Sequence, residues 1–285
     1  MIARNLRIPL RVHQLIATCW SGGWREAITA SRGGLTLVPL RARLAQPRVR
    51  MKIRRSSVFL FACLLAARVF AADRPPVAPD PSFAPVADTP GLPRVLLIGD
   101  SISMGYTLPV RARLQHQSNV HRPAANCGET ARGLRSLDLW LGAEKWDVIH
   151  FNFGLHDLKY LDEKGAYVTP DKGKQVASLA DYEKNLRALV ARLRLTGAKL
   201  IFATTTPVPS QSLGRIEHDE QRYNETAVRV MKELGVAVDD LHALVAPRQE
   251  KIQRPHNVHF TDEGYALLAD QVTAQILAAL PTATK

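Results

Sequence analysis

Four short polar segments of the chain carry residue types that could together do hydrolytic chemistry. They are Gly99-Asp-Ser101, Asn126-Cys-Gly-Glu-Thr130, Gly154-Leu-His-Asp157 and Val258-His-Phe-Thr261. A serine nucleophile needs a base that takes its proton and N–H donors aimed at the developing oxyanion. Ser101 offers the hydroxyl and His259 offers the base. The pattern predicts an acyl-transfer site, provided that the fold brings the segments together.

Three groups are candidate donors for an oxyanion. Gly128 has a backbone N–H on a loop where no side chain obstructs approach, the N–H of Ser101 is a second donor, and His156 offers a side-chain donor. Each residue alone also fits a structural role, with Ser101 as a helix cap, Gly128 as a turn residue and His259 as a surface histidine. The occurrence of all four segments in this order favours a catalytic site.

The segments follow strands or precede a helix, so an α/β fold would position them. The apolar run at 95–98, closed by Gly99, is typical of a strand buried on both faces. Further strands are predicted at 119–121, 148–153, 200–205 and 236–238, and helices at 102–114, 133–141, 179–196, 220–234 and 261–280. This alternation predicts a parallel sheet flanked by helices, in one domain over 94–281. Residues 158–178 are predicted to be a loop over the carboxyl edge of the sheet.

In these segments the chain resembles the SGNH (GDSL-like) hydrolase superfamily of serine esterases and lipases. The family's first block, Gly-Asp-Ser, matches residues 99–101, and its second block centres on a glycine that matches Gly128. The third block, Gly-x-Asn-Asp, corresponds to residues 154–157, and the last block ends in a histidine that matches His259. The resemblance covers about residues 94–281. It implies a three-layer α/β/α sandwich with a flavodoxin-like parallel sheet of about five strands.

The resemblance also implies roles for individual residues. Ser101 would be the nucleophile and His259 the base. The oxyanion hole would consist of Ser101, Gly128 and His156, and three further block residues would support the site, namely Asp100, Gly154 and Asp157. The reaction would pass through an acyl-enzyme intermediate and would use no cofactor and no metal ion.

Two positions depart from the pattern of the family. His156 stands where the family has an asparagine. A neutral imidazole keeps one N–H that can donate a hydrogen bond. Protonation of His156, favoured by the adjacent Asp157, would make it a stronger donor. His256 stands where the aspartate of the triad is expected, so no acid is assigned to orient His259. The group that orients His259 is left open. It could be a backbone carbonyl, the Asn257 side chain or an acid from another loop, and the candidate acids are Asp239, Asp240 and Asp262.

The net charge of +12 is concentrated at the N-terminal end of the chain. Residues 1–71 hold 13 of the 38 Lys and Arg residues and a single acidic residue, Glu26, whereas residues 72–285 hold 25 basic and 25 acidic residues. The predicted domain is therefore neutral, and no nucleic-acid partner is expected.

The N-terminal part has the pattern of an export signal. Met51 begins a basic stretch, followed by about ten apolar residues, too few to span a bilayer, and by small residues that fit cleavage after Ala71. Residues 51–71 are predicted to be a signal peptide, residues 72–93 a proline-rich linker, and residues 1–50 a non-native upstream extension or a disordered segment. The mature protein would be periplasmic or secreted, without stable membrane insertion.

These observations predict an exported serine ester hydrolase that acts on a small-molecule or carbohydrate ester. Short acyl (acetyl) esters of carbohydrates are favoured because no long apolar lid segment is visible. The alternatives within this fold are a lysophospholipase or thioesterase and a catalytically weakened carbohydrate-binding protein. A metal-dependent hydrolase is a further alternative, although its candidate ligands show no recognised spacing; they are His150, His156, Asp157, His256 and His259. The oligomeric state is not predicted.

Overall fold

The computed structural model describes residues 79–281. The predicted extension at 1–50, the predicted signal peptide at 51–71 and the first part of the predicted linker lie outside the described residues and stay predictions. Residues 79–93 lie against the domain; for example, the Asn119 side chain bonds the backbone N–H and C=O of Thr89 at 2.8 and 3.1 Å. Contacts with the domain therefore begin before residue 94. Within the described residues, no helix is both long and apolar enough to cross a membrane.

A parallel sheet forms the centre of the domain. In chain order the strands are β1 (Arg94–Ile98), β2 (Asn119–His121), β3 (Val148–Phe151), β4 (Tyr160–Leu161), β5 (Lys174–Gln175), β6 (Lys199–Ala203) and β7 (Ala237–Asp239). Five of them pair in parallel in the order β2-β1-β3-β6-β7, while β4 and β5 form a separate antiparallel pair. Strand β1 pairs with β3 from Val95 opposite Val148 to Ile98 opposite Phe151. This is the strand order of flavodoxin-like folds and confirms the predicted sheet.

Helices cover both faces of the sheet. They are α1 (Ser101–Leu114), α2 (Thr130–Leu141), α3 (Leu179–Arg194), α4 (Glu220–Glu233), α5 (Leu241–Val245), α6 (Gln249–Ile252) and α7 (Asp262–Ala279). Helix α1 packs against α7 on one face, and α3 packs between α2 and α4 on the other. The structure is therefore the three-layer α/β/α sandwich that the sequence predicts.

Helix α3 shows why the sequence folds in this way. Its residues Leu186, Leu189, Val190 and Leu193 follow helical spacing, and all four are fully buried. Burial of each such side chain stabilises the fold by about 1.5–3 kcal/mol relative to an exposed position. At the N-terminus of the helix, the Ser178 side chain accepts a hydrogen bond from the backbone N–H of residue 181 and so caps the first turn.

The strand order places the ends of β1, β2 and β3 at a topological switch point. The chain leaves β1 toward β2 on one side and returns to β3 on the other, so a crevice opens at their carboxyl ends, where ligands bind in folds of this type. The first three sequence segments follow these three strands, and the fourth precedes α7. Residues 158–178, predicted to be a loop, contain the β4–β5 pair and carry Tyr167 to the same crevice.

Candidate active site

The fold brings Ser101 and His259 into direct contact. Ser101 is the first residue of α1, directly beyond β1, and His259 lies in the loop before α7. The Oγ atom of Ser101 and the Nε2 atom of His259 are 2.8 Å apart, although the residues are separated by 158 positions in the sequence. This is the distance and the pairing that proton transfer from a serine to a base requires.

Asp100 fixes the turn that presents Ser101. Its Oδ1 atom accepts a hydrogen bond from the backbone N–H of Ile102 at 2.9 Å, and its backbone carbonyl accepts one from the Ser103 hydroxyl at 2.9 Å. Asp100 is buried, and burial raises the pKa of its carboxyl group. The N–H of Ser101, at the first position of α1, has no preceding helical carbonyl to bond and can serve a ligand.

The loop that carries His259 is closed by hydrogen bonds at its base. The N–H of Arg254 donates to the carbonyl of His259 at 2.9 Å, and the N–H of Asn257 donates to the carbonyl of Arg254 at 3.1 Å. The buried Gln253 amide donates to the carbonyls of Val258 at 3.0 Å and Pro207 at 2.8 Å. These bonds hold the imidazole of His259 at a fixed place above the sheet.

Asn257 orients the imidazole of His259. Its Oδ1 atom lies 2.7 Å from Nδ1 and 3.0 Å from the backbone N of His259. A backbone N–H can only donate, so the atom of Asn257 at this place is the oxygen. Because that oxygen only accepts, Nδ1 of His259 carries the hydrogen and Nε2 is left to accept the hydroxyl proton of Ser101. Among the open alternatives, the structure selects the Asn257 side chain.

The candidate acids are bound elsewhere. His256, at the position of the family's aspartate, adopts a left-handed backbone (φ 55°), and its Nδ1 lies 3.1 Å from the carbonyl of Ser210. Asp239 is fully buried with its carboxylate 3.0 Å from Nε2 of His150. Asp240 accepts from the Thr204 hydroxyl at 2.9 Å and caps α5, and Asp262 is an exposed residue at the start of α7.

His156 is held neutral with a defined tautomer. The Lys159 ammonium group, which can only donate, lies 3.1 Å from Nδ1 of His156, so the ring hydrogen is on Nε2. Burial, with the nearby positive charges of Lys159 and Arg215, lowers the pKa of His156 to about 3. The expectation that protonation strengthens this donor is therefore wrong. The neutral ring still offers one N–H.

Asp157 does not interact with His156, its neighbour in sequence. It is fully buried and accepts hydrogen bonds from the backbone N–H of Thr130, at 3.0 Å, and from the Thr130 hydroxyl. Burial raises the pKa of Asp157 to about 7. Its role in the structure is to anchor the start of α2 beneath the site.

The two glycines of the predicted site have backbones that favour glycine. Gly154 has φ 145°, and a Cβ atom there would lie 2.2 Å from Oγ1 of Thr205. Gly128 has φ 67°, and its N–H donates to Oδ1 of Asn126 at 3.0 Å. Because this N–H is already engaged, the oxyanion role of Gly128 stays a prediction.

A cavity of about 360 Å³ opens beside the Ser101–His259 pair. His156 and Asn126 line it together with two residues that the four sequence segments do not contain, namely Tyr167 and Arg215. A further residue that was missed is the buried Arg122, whose guanidinium donates to the Gly99 carbonyl at 3.3 Å and to the Ser103 hydroxyl at 3.1 Å. It ties the loop after β2 to the nucleophile turn. No local periodicity marks these positions.

The remaining chemical groups near the site are inert or dispersed. Cys127 is buried, and burial raises the pKa of its thiol to about 11, so it is protonated at neutral pH. In the part of the chain from 79 to 281, no three His, Cys, Asp or Glu side chains converge where a metal ion could bind. Of the candidate ligands, His150 lies in the buried pair with Asp239, away from His259.

Known proteins share this fold. The lipase/acylhydrolase from Enterococcus faecalis is 20% identical, with a TM-score of 0.55 over 68% of this chain and 100% of that one. The acetyl xylan esterase AlAXEase is 16% identical, with a TM-score of 0.53 over 64% and 99% of the two chains. An acetylxylan esterase from Geobacillus stearothermophilus is 17% identical, with a TM-score of 0.53 over 65% and 94%. No curated protein sequence matches the chain.

The sequence itself matches a family model. The model of the GDSL-like Lipase/Acylhydrolase family covers residues 97–267, more than half of the chain, from the end of β1 into α7. This range contains Ser101, Gly128, His156 and His259. The chain belongs to the GDSL-like lipase/acylhydrolase family and is a hydrolase that acts on ester bonds.

Proposed function

We propose that the protein is an exported serine esterase that removes short acyl groups, such as acetyl, from carbohydrates or similar small esters. The observation that carries the proposal is the 2.8 Å contact between Ser101 and His259, in which Asn257 fixes the tautomer of the histidine. Export rests on the predicted signal peptide at 51–71. The short acyl group rests on the absence of a long apolar lid segment and on the likeness to esterases whose names specify acetyl xylan.

The reaction begins at Ser101. Its hydroxyl proton passes to Nε2 of His259 while Oγ attacks the carbonyl carbon of the ester. The negative charge that develops on the carbonyl oxygen accepts hydrogen bonds from the N–H of Ser101 and from Nε2–H of His156. The imidazolium of His259 then protonates the leaving alcohol, which departs and leaves an acyl group on Ser101.

Water completes the cycle. His259, neutral again, takes a proton from a water molecule that attacks the acyl group, and the same donors stabilise the second oxyanion. Throughout, Oδ1 of Asn257 keeps the second ring hydrogen on Nδ1. Unlike a carboxylate, this neutral oxygen adds no full negative charge beside the imidazolium. The arrangement is a Ser–His pair supported by an amide.

A series of 4-nitrophenyl esters of increasing acyl length tests the proposal. We expect kcat/KM to be highest for acetate or propionate, to fall with longer chains, and to drop to the background rate in Ser101→Ala. Cys127→Ala is the matched control, since the thiol is buried and protonated, and should keep its activity. The same series in the presence of a chelator tests the metal-dependent alternative. Absence of turnover with any ester would favour a binding protein, and a maximum at long chains would favour a lipase.

A further inference from the structure

The cavity beside Ser101 has an unbalanced positive charge. No Asp or Glu lines it among the described residues, while Arg215 does. Asp100, the acid whose charge acts on Arg215, is buried under the nucleophile turn, and burial opposes its ionisation. A ligand in the cavity therefore meets a cation without a protein carboxylate to neutralise it.

Arg215 is held in place by neutral groups. Its Nε atom donates to the carbonyl of Leu155 at 3.1 Å and one Nη atom donates to the carbonyl of Leu213 at 3.3 Å. The guanidinium carbon lies 5.6 Å from the centre of the Tyr167 ring. Carbonyls and an aromatic ring orient the guanidinium without cancelling its charge, so it is preorganised for an anion with a planar, two-oxygen shape.

Other cations around the cavity add to the same field. Lys159 lies behind His156 and 5.1 Å from the centre of the Tyr167 ring, and Arg132 and Arg254 are exposed near the loops of Gly128 and His259. None of these forms an ion pair with an acid among residues 79–281. Away from the site, by contrast, many arginines are paired, including Arg187, Arg192, Arg222 and Arg229. In the cleft, the unpaired cations add to the charge of Arg215, and a positive field of this kind concentrates anions.

The size of the cavity fits more than an acetyl group. Its volume of about 360 Å³ lies at the lower end of the range of small-molecule pockets, roughly 300–1,000 Å³. With the acyl group at Ser101, part of the alcohol has room to reach Arg215. One guanidinium in the lining matches one carboxylate in charge and geometry.

We infer that the preferred substrates are esters whose alcohol part carries a carboxylate, such as an acylated uronic-acid sugar, and that Arg215 binds this carboxylate. The inference rests on the proposed esterase function. It adds a class of alcohol to that function and assigns a specificity-determining residue that the sequence segments do not contain.

A pair of acetyl esters that differ in one charge tests the inference. The substrates are 4-acetoxybenzoate and 4-acetoxybenzamide, and each kcat/KM is divided by the spontaneous hydrolysis rate of the same ester. We expect the full-length enzyme to prefer the carboxylate about 10- to 100-fold at low salt, the effect of one charge-assisted hydrogen-bonded pair, and to lose much of this preference at high salt. In Arg215→Gln, the ratio of the two normalised kcat/KM values, carboxylate over amide, should fall toward one. In Arg215→Lys this ratio should stay partly elevated.

Arg194→Gln is the matched control. Arg194 is an exposed residue at the end of α3 and lies with Lys199 at the opposite edge of the sheet, so its loss removes one charge without changing the ratio. A ratio near one in the unmodified enzyme, or an elevated ratio that survives in Arg215→Gln, overturns the inference even if esterase activity is high. Failure of the proposed function has a different signature, namely no Ser101-dependent hydrolysis of either ester, and the inference then falls with it.

Discussion

Replacing Asn257 by aspartate should convert the amide-supported pair into a Ser–His–Asp triad. The carboxylate oxygen would take the place of Oδ1, 2.7 Å from Nδ1 of His259, and would keep both of its hydrogen bonds. In the native protein, burial together with the charges of Arg254 and Arg215 lowers the pKa of His259 below its ordinary value of 6.5. An added negative charge at Asn257 opposes all three effects, so the pKa of His259 rises.

The size of this shift follows from the geometry. Two unit charges about 4 Å apart interact by about 4 kcal/mol at an effective dielectric constant of about 20. Because His259 is half exposed, solvent screens a large part of this interaction energy. The remaining interaction raises the pKa of His259 by about 1–2 units, which corresponds to about 1.4–2.7 kcal/mol. If roughly half of that stabilisation is present in the transition state, kcat rises about 3- to 10-fold.

The assay is the pH dependence of kcat/KM with 4-nitrophenyl acetate. The base works when it is neutral, so activity falls as the pH drops through the pKa of His259. The native enzyme should keep activity below pH 6.5, and the acid limb of Asn257→Asp should lie about 1–2 pH units higher. His256→Asp is the control, because it places the same charge one residue away, on a side chain that faces Ser210. In this variant the acid limb of the pH profile should shift less than in Asn257→Asp. An unmoved acid limb in Asn257→Asp, or equal shifts in both variants, would refute the assignment of Asn257.

Three further predictions test the surroundings of the site. His156→Ala should lower kcat for 4-nitrophenyl acetate by about 100-fold, the cost of one oxyanion donor, whereas His156→Asn should keep most of the activity; equal activity in the two variants would contradict the donor role. Asp157 has a pKa raised from 3.8 to about 7 in the fold, so its contribution to stability is present below pH 4 and is lost as the pH rises to about 7. In Asp157→Asn, the free energy of unfolding measured with urea should therefore not show this decline with pH. A pH dependence identical to that of the native protein would count against the prediction. Gly154→Ala should destabilise the fold by about 2–4 kcal/mol, because the new Cβ would overlap the side chain of Thr205. Gly165→Ala is the control: Gly165 also has a positive φ, 79°, but open space around it, so its replacement should cost less than half as much. Thermal unfolding of the two variants measures the difference.

The elements with clear periodicity were predicted well from the sequence. The helix predicted at 179–196 lies within two residues of its observed bounds, because its apolar residues repeat with the helical period. The strands predicted at 95–98 and 119–121 also lie within two residues of their observed bounds, the first being a continuous apolar run. Helices α5 and α6 were not predicted, since four or five residues are too few to show a period. Ser101 and His259 were found because each stands in a short pattern at the edge of such an element.

The support of the site could not be derived from sequence neighbours. His156 and Asp157 are adjacent, yet one lines the cavity and the other points to Thr130, because the turn after β3 directs consecutive side chains to different sides. At the other end of the site, Nδ1 of His256 lies 3.1 Å from the carbonyl of Ser210, and Asn257 holds His259 instead. Arg215 joins the site from a loop, and only the tertiary structure shows that no acid among residues 79–281 forms an ion pair with it.

The most direct test is to identify the residue that carries the acyl group during turnover. The enzyme is mixed with 4-nitrophenyl acetate, quenched in acid within the first turnover, digested and measured by peptide mass spectrometry. We expect one acetyl group on the peptide that contains Ser101, formed in the native protein and absent in Ser101→Ala and His259→Ala. Turnover without any acetylated peptide, or with the acetyl group on another residue, would contradict the mechanism in which His259 activates Ser101.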